Sequence, residues 1–220
     1  MLFHDAHHIF IYLVGDIAFV FLEVLLVTLI IHQLLSRSGK KQRLKKLNMV
    51  VGTFFSEVGT SLLKLLAAFD RDADILGKKL KISGQWPRRD FAQALRYVRH
   101  YEGAIDSEGG DLAGLKAFLA QKRDFVLRLL ENPHLLEYES LTDLLWAVTH
   151  IQEELAGRTR TQKLPTPDYR HLSGDIRRAY VVLIREWLRY LVHLQESYPY
   201  LYSLAIRTNP FDSQARVDIS

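Results

Sequence analysis

The chain has 220 residues, a formal net charge of +4, a pI near 9.2 and no cysteine, which excludes disulfides and thiolate metal sites. The basic excess does not point to nucleic acid. Six of the 29 Lys and Arg lie between residues 37 and 46, and residues 47–220 hold the other 23 against 22 Asp and Glu, so the bulk of the chain lacks a footprint for phosphate backbones.

Taken in chain order, residues 1–8 form a short N-terminal segment without Lys or Arg, and Ile9 to Leu35 is an apolar run that also contains neither. A helix needs about 20 apolar residues to cross a bilayer, so 9–35 is expected to be a transmembrane helix with length to spare. Between Ile9 and Ile31 stand 17 Leu, Ile, Phe or Val against two acids, Asp16 and Glu23. Each apolar residue contributes about −0.3 to −0.6 kcal/mol and a central acid costs roughly +2.5 to +3.5, so insertion is favoured by a thin margin. A cleaved signal peptide fits poorly, because it requires a positively charged start and a shorter apolar stretch.

The basic juxtamembrane segment 36–46 follows, with Arg37, Lys40, Lys41, Arg43, Lys45 and Lys46 in a Ser-flanked turn around Gly39. Six cations after the span and none before it place the N-terminus outside and residues 47–220 in the cytoplasm, at the inner membrane. Each cation near an anionic lipid surface gains about 1 kcal/mol, so anionic lipids are expected partners.

Residues 47–220 read as one cytoplasmic helical domain, which makes the chain all-α: one N-terminal transmembrane helix followed by a helical bundle. Leu47 to Phe69 is rich in apolar residues, yet Glu57 and Lys64 favour a buried core helix over a second span, with Gly52 and Gly59 permitting close approach of a neighbour. Asp70 to Ile82 is a charged continuation or turn. A helix is expected from Trp86-Pro87 to about Glu102, and after the loop 103–110 another from an Asp111 N-cap through Glu131. Asn132-Pro133 breaks it. Ser140-Leu-Thr-Asp143 resembles a capping box ahead of a helix to Ala156, residues 157–168 read as a linker, and a long helix runs from about Asp168 to Tyr198. Its aromatics, among them Tyr180, Trp187, Tyr190 and Tyr198, interleave with Arg177, Arg178, Arg185 and Arg189, a pattern expected of a core helix with a solvated far side.

Three stretches, LNMVVGTFFSEVG at 47–59, ENPHLLEYESLTDLLWAVTHIQEEL at 131–155 and YPYLYSLAIRTNPF at 198–211, together with the preceding anchor, resemble an uncharacterised family of bacterial membrane-anchored helical proteins. The resemblance implies the localisation and the fold and transfers no catalytic residue.

Two sets of residues carry chemical interest. Asp16 and Glu23 are about 10 Å apart along a helix and return to within about 20° of one another, so they share one stripe. Intramembrane acids face a bundle interior, a water-filled cavity or a partner. The isolated helix offers neither a basic partner nor a cavity, so several copies, or another membrane protein, are expected to complete it. The second set is His150-Ile-Gln-Glu153 and His193-Leu-Gln-Glu196, where i,i+3 spacing puts each His and Glu on one helix face. Paired His and carboxylate groups on facing helices build metal sites, but that class uses Glu-x-x-His, the reverse order. The chain has no HExxH, P-loop, GxGxxG, GxSxG or CxxC, and no cofactor is expected. The expected function is an oligomeric scaffold or interaction protein at the inner face of the membrane. A small cation or proton channel lined by Asp16 and Glu23 is the alternative, and a metal-dependent helical enzyme comes third.

Overall fold

The computed structural model describes residues 6–82, 86–135, 138–212 and 214–218, the side chains of 6–9, 34–46 and 134 excepted. Its elements are α1 (Ala6–Phe54), a π-helical turn (Phe55–Gly59), α2 (Thr60–Ala67), α3 (Ala73–Lys79), α4 (Arg88–Arg99), α5 (Leu112–Leu130), a 3-10 turn (Pro133–Leu135), α6 (Glu139–Ala156), α7 (Thr166–Ser197) and α8 (Pro199–Arg207). Among the described residues there is no strand, and pairing of extended backbone is confined to an isolated bridge between Asp70 and Ile105. The chain divides into two compact units, residues 1–46 and 47–220.

In the first unit the backbone is helical without a break from Ala6 onward, and Phe10–Gln33 forms 24 residues of mean hydropathy 2.5, long and apolar enough to cross a membrane. Every described side chain in that stretch is exposed, Asp16 and Glu23 included. The turn expected around Gly39 is absent. Lys, Arg and Gln are good helix formers, and Gly in a helix interior costs only about 1 kcal/mol, which 49 residues of continuous helix absorb. The side chains of Arg37, Lys40, Lys41, Arg43, Lys45 and Lys46 lie outside the described residues.

The second unit is a helical bundle built around α7. Its 32 residues span about 48 Å and place Leu172, Ile176, Ala179, Leu183, Leu188 and Leu191 in the core at helical spacing. Helices α2, α4, α6 and α8 pack on α7, and α5 packs on α6. The segment Leu47–Ala67 also meets the length and hydropathy of a span. It buries Val51, Phe54, Phe55, Val58, Leu62, Leu63 and Leu66 in this core, while Glu57 and Lys64 are exposed. That division is the amphipathic pattern of a core helix.

The π-helical turn sits inside this segment. The Thr60 backbone N–H and hydroxyl both donate to the Phe55 carbonyl, five residues back, so one extra residue enters the turn. Phe55 thereby stacks on Tyr190 of α7, ring centroids 5.1 Å apart and 10° from parallel. Gly52 faces Tyr190, but a Cβ there would meet the Tyr190 hydroxyl at 3.4 Å, an ordinary contact, so the approach expected to need glycine does not require it. Gly59 is required: a Cβ would lie 2.5 Å from the Phe55 ring of its own turn.

Several boundaries differ from expectation. Asp70–Ile82 contains a helix, α3, with Leu76 in the core. Pro87 is the N-cap of α4, which ends at Arg99. Asp111 caps α5 as expected, its carboxylate accepting from the Gly114 N–H at 2.8 Å. The Ser140 capping box does not form. Helix α6 begins earlier, at Glu139, which puts Ser140 inside its first turn, and the Thr142 hydroxyl donates to the Leu135 and Tyr138 carbonyls. Pro165 and Pro167 do not lie in an extended linker: Pro165 is the N-cap of α7 and Pro167 is in its first turn, where a missing N–H costs nothing. The aromatic residues of α7 divide as expected, with Tyr180 and Trp187 buried and Tyr190 half-buried. The chain beyond α8 returns to the core. Buried Asn209 donates to the Leu80 carbonyl at 2.9 Å and accepts from the Phe211 N–H, and Phe211 packs edge-on against Trp187 at 5.3 Å.

Candidate functional site

Helices α6 and α7 lie side by side, and each presents a His followed four residues later by an acid: His150 and Glu154 on α6, His171 and Asp175 on α7. Spacing of i,i+4 puts each pair on one helix face, and the two faces meet. Asp175 is only 3% exposed. Its Oδ2 stands 3.2 Å from Nε2 of His150 and 3.2 Å from Nε2 of His171, yet neither contact has hydrogen-bond geometry and Oδ2 is left without a hydrogen-bond partner. A buried carboxylate oxygen without one is costly. The other oxygen, Oδ1, accepts from Arg178 at 3.2 Å.

The two histidines are half-exposed, 43% for His150 and 52% for His171. Their rings stand nearly perpendicular, with centroids 6.3 Å apart. Glu154 closes the far side, its Oε1 3.7 Å from His171 Nε2 and its Oε2 held by Arg158 at 2.6 Å. The Arg158 guanidinium holds the Glu154 carboxyl below the usual carboxylate range, against burial, which acts the other way. The cluster therefore brings two imidazole nitrogens and the Asp175 carboxylate within 4.8 Å of one another, open to solvent on the histidine side, with Glu154 beside His171.

Of the metal-ligand candidates expected from spacing, only His150 takes part. Glu153 is exposed and borders a groove with Lys116 and Arg123 of α5. His193 accepts from the Asn48 amide at Nδ1, 3.0 Å away, and burial pushes it below the ordinary histidine value. Glu196 pairs with Arg88 at 2.5 Å on the surface. The two His-x-Gln-Glu motifs do not form a shared centre: among the described residues, the group of three or more potential metal ligands is His150, His171 and Asp175, whose donor atoms all lie within 4.8 Å of one another. His171 and Asp175 escaped the sequence reading because it followed a repeated i,i+3 motif, whereas the usable signal was His-x-x-x-acid on two successive helices.

Asp16 and Glu23 are both exposed on α1, and among the described residues neither meets a basic side chain. The basic cluster 37–46 cannot be placed against them, since its side chains lie outside the described residues.

Two family models match the chain. One, the N-terminal helical domain of MJ1433, covers residues 1–35, and the other, the C-terminal helical domain of the uncharacterized protein MJ1433, covers residues 43–207. The uncharacterized protein MJ1433 of the archaeon Methanocaldococcus jannaschii is 45% identical over 215 residues, covering 98% of this chain and 86% of its own. No solved structure matches. The expected bacterial attribution is not supported, because this relative is archaeal. An uncharacterised helical family was expected and is found: the chain belongs to the MJ1433 family.

Proposed function

We propose that the protein is a membrane-anchored oligomeric scaffold, in which residues 10–33 span the bilayer and residues 47–220 present a helical domain on the cytoplasmic side. The observation that carries this reading is the first unit itself. It has 24 residues of mean hydropathy 2.5 with none of them buried, an apolar surface long enough to cross a bilayer. Lipid is the solvent that such a helix needs. Asp16 and Glu23 add the second requirement, because acids at that depth face protein or water rather than lipid, and the anchor meets no basic group among the described residues. A second copy of the same helix satisfies both acids at once, carboxyl to carboxyl across a shared stripe. The absence of Lys and Arg before the span supports the outside placement of the N-terminus.

The shared stripe also suits a cation path, since rings of acids line cation pores. Glu23→Gln separates the two readings, as it keeps shape and hydrogen-bonding capacity and deletes the ionisable group. The scaffold reading expects wild type and Glu23→Gln to assemble to the same mass in detergent and to leave ion flux across liposomes at background. A reproducible cation current from wild type that falls in Glu23→Gln would replace the scaffold with the channel.

A further inference from the structure

We propose that His150, His171 and Asp175 bind one divalent cation of the zinc class at the junction of α6 and α7, with the fourth position open to water on the exposed histidine side. Ligand type is the first reason: two neutral imidazoles and a carboxylate form a borderline donor set that suits zinc and its first-row neighbours, whereas calcium and magnesium take oxygen donors.

Geometry is the second reason. Two donors each about 2.0 Å from a common tetrahedral ion stand about 3.3 Å apart, and Asp175 Oδ2 lies 3.2 Å from both imidazole Nε2 atoms. Those contacts match the edges of a coordination tetrahedron while failing as hydrogen bonds. The buried Oδ2 has no hydrogen-bond partner and faces both Nε2 atoms at 3.2 Å, an arrangement that a cation held among the three atoms satisfies with both imidazoles neutral. Arg178 and Arg158 each engage one oxygen of Asp175 and Glu154. In that arrangement Arg178 orients the Asp175 carboxylate and leaves Oδ2 facing the two histidines, while Arg158 holds Glu154 beside His171. The ion would tie α6 to α7 across the Gly157–Pro165 connection.

The test uses the full-length chain in detergent, free of any polyhistidine tag, stripped with a chelator and titrated with zinc ion alone. The number bound is read as the difference between wild type and His171→Ala, so that His4, His7 and His8 at the N-terminus contribute equally to both. The proposal expects wild type to hold one more zinc per chain than His171→Ala and to melt at a higher temperature with zinc than without. Loss of one ligand should weaken binding at least about 100-fold, since loss of an outer-shell partner alone costs about 10- to 100-fold. His171 is half-exposed, so its truncation leaves the core intact, which circular dichroism verifies. His150→Ala, on the other helix, gives the same loss by an independent route, and His100→Ala, exposed at the end of α4, binds as wild type does. Cobalt substituted for zinc should give a visible ligand-field band in wild type and in neither ligand variant. Equal zinc binding in wild type and both variants, or no zinc-dependent rise in melting temperature, would overturn the proposal and leave the cluster a histidine–carboxylate ion pair.

Discussion

Removal of residues 1–46 is expected to move the protein from the membrane fraction to the soluble fraction while leaving a cooperatively folding helical domain. The core of residues 47–220 is closed on itself: α7 is covered by α2, α4, α6 and α8, and the apolar side chains of 47–69 that could suggest a second span are its packing surface. The two charges of that segment, Glu57 and Lys64, stay in water, with Glu57 3.6 Å from Lys122 of α5. The cut falls within α1, so the first turn frays unless a Ser or Asp caps the new start, an effect of about 1 kcal/mol. Sedimentation and thermal melting by circular dichroism check the result. A fragment that still partitions wholly into membranes would mean that 47–69 is itself a span.

The second large effect is on stability. Asp70→Ala should destabilise the domain by about 3–4 kcal/mol, lowering the melting temperature by on the order of 10 °C for a unit of this size. Buried Asp70 closes the junction between α2 and the loop before α5. Its Oδ2 accepts from the Tyr101 hydroxyl at 2.5 Å, and its Oδ1 accepts from the backbone N–H groups of Asp72 and Ala104 at 3.0 and 3.1 Å. Truncation orphans all three donors at once, which costs more than the bonds are worth net. The loop's shape depends on two glycines: Gly103 takes φ +60°, and a Cβ on Gly110 would stand 2.1 Å from the Phe69 ring. Burial first, then the Asp70 carboxylate, raise the Tyr101 hydroxyl above the ordinary tyrosine value, so it remains a donor at physiological pH. Tyr101→Phe leaves the two backbone donors satisfied and should cost about 1 kcal/mol. Equal losses from both substitutions would show that Asp70 contributes only through the phenol.

What was legible in the sequence follows the strength of the local signal. Helix α7 was readable because Leu172, Ile176, Ala179 and Leu183 repeat at helical spacing, and the start of α5 was readable because an aspartate cap acts within one turn. Signals that depend on a neighbour were misread. Ser140 and Asp143 have the capping-box spacing, but α6 starts at Glu139 with Tyr138 as its N-cap, which puts Ser140 inside the first turn rather than at the cap. The continuity of α1 through 36–46 was missed because Gly39 and two serines signal a turn only when nothing carries the helix past them. Asp70 gave little sequence signal, since only the Asp72 N–H is local and its other two donors come from 31 and 34 residues away in the chain. The cluster at His150 was half visible: one histidine was found, while its partners belong to the next helix, and only packing of α6 on α7 brings them together.

The mass of the full-length chain in detergent, measured beside that of the 47–220 fragment, tests the central claim most directly. The anchor stripe of Asp16 and Glu23 is assigned to contacts between copies, so the full-length protein should run as a defined multiple of 25.5 kDa and the fragment as a monomer. A monomeric full-length chain would contradict assembly through the anchor, and a fragment that assembles as the whole protein does would move the contact to the helical domain.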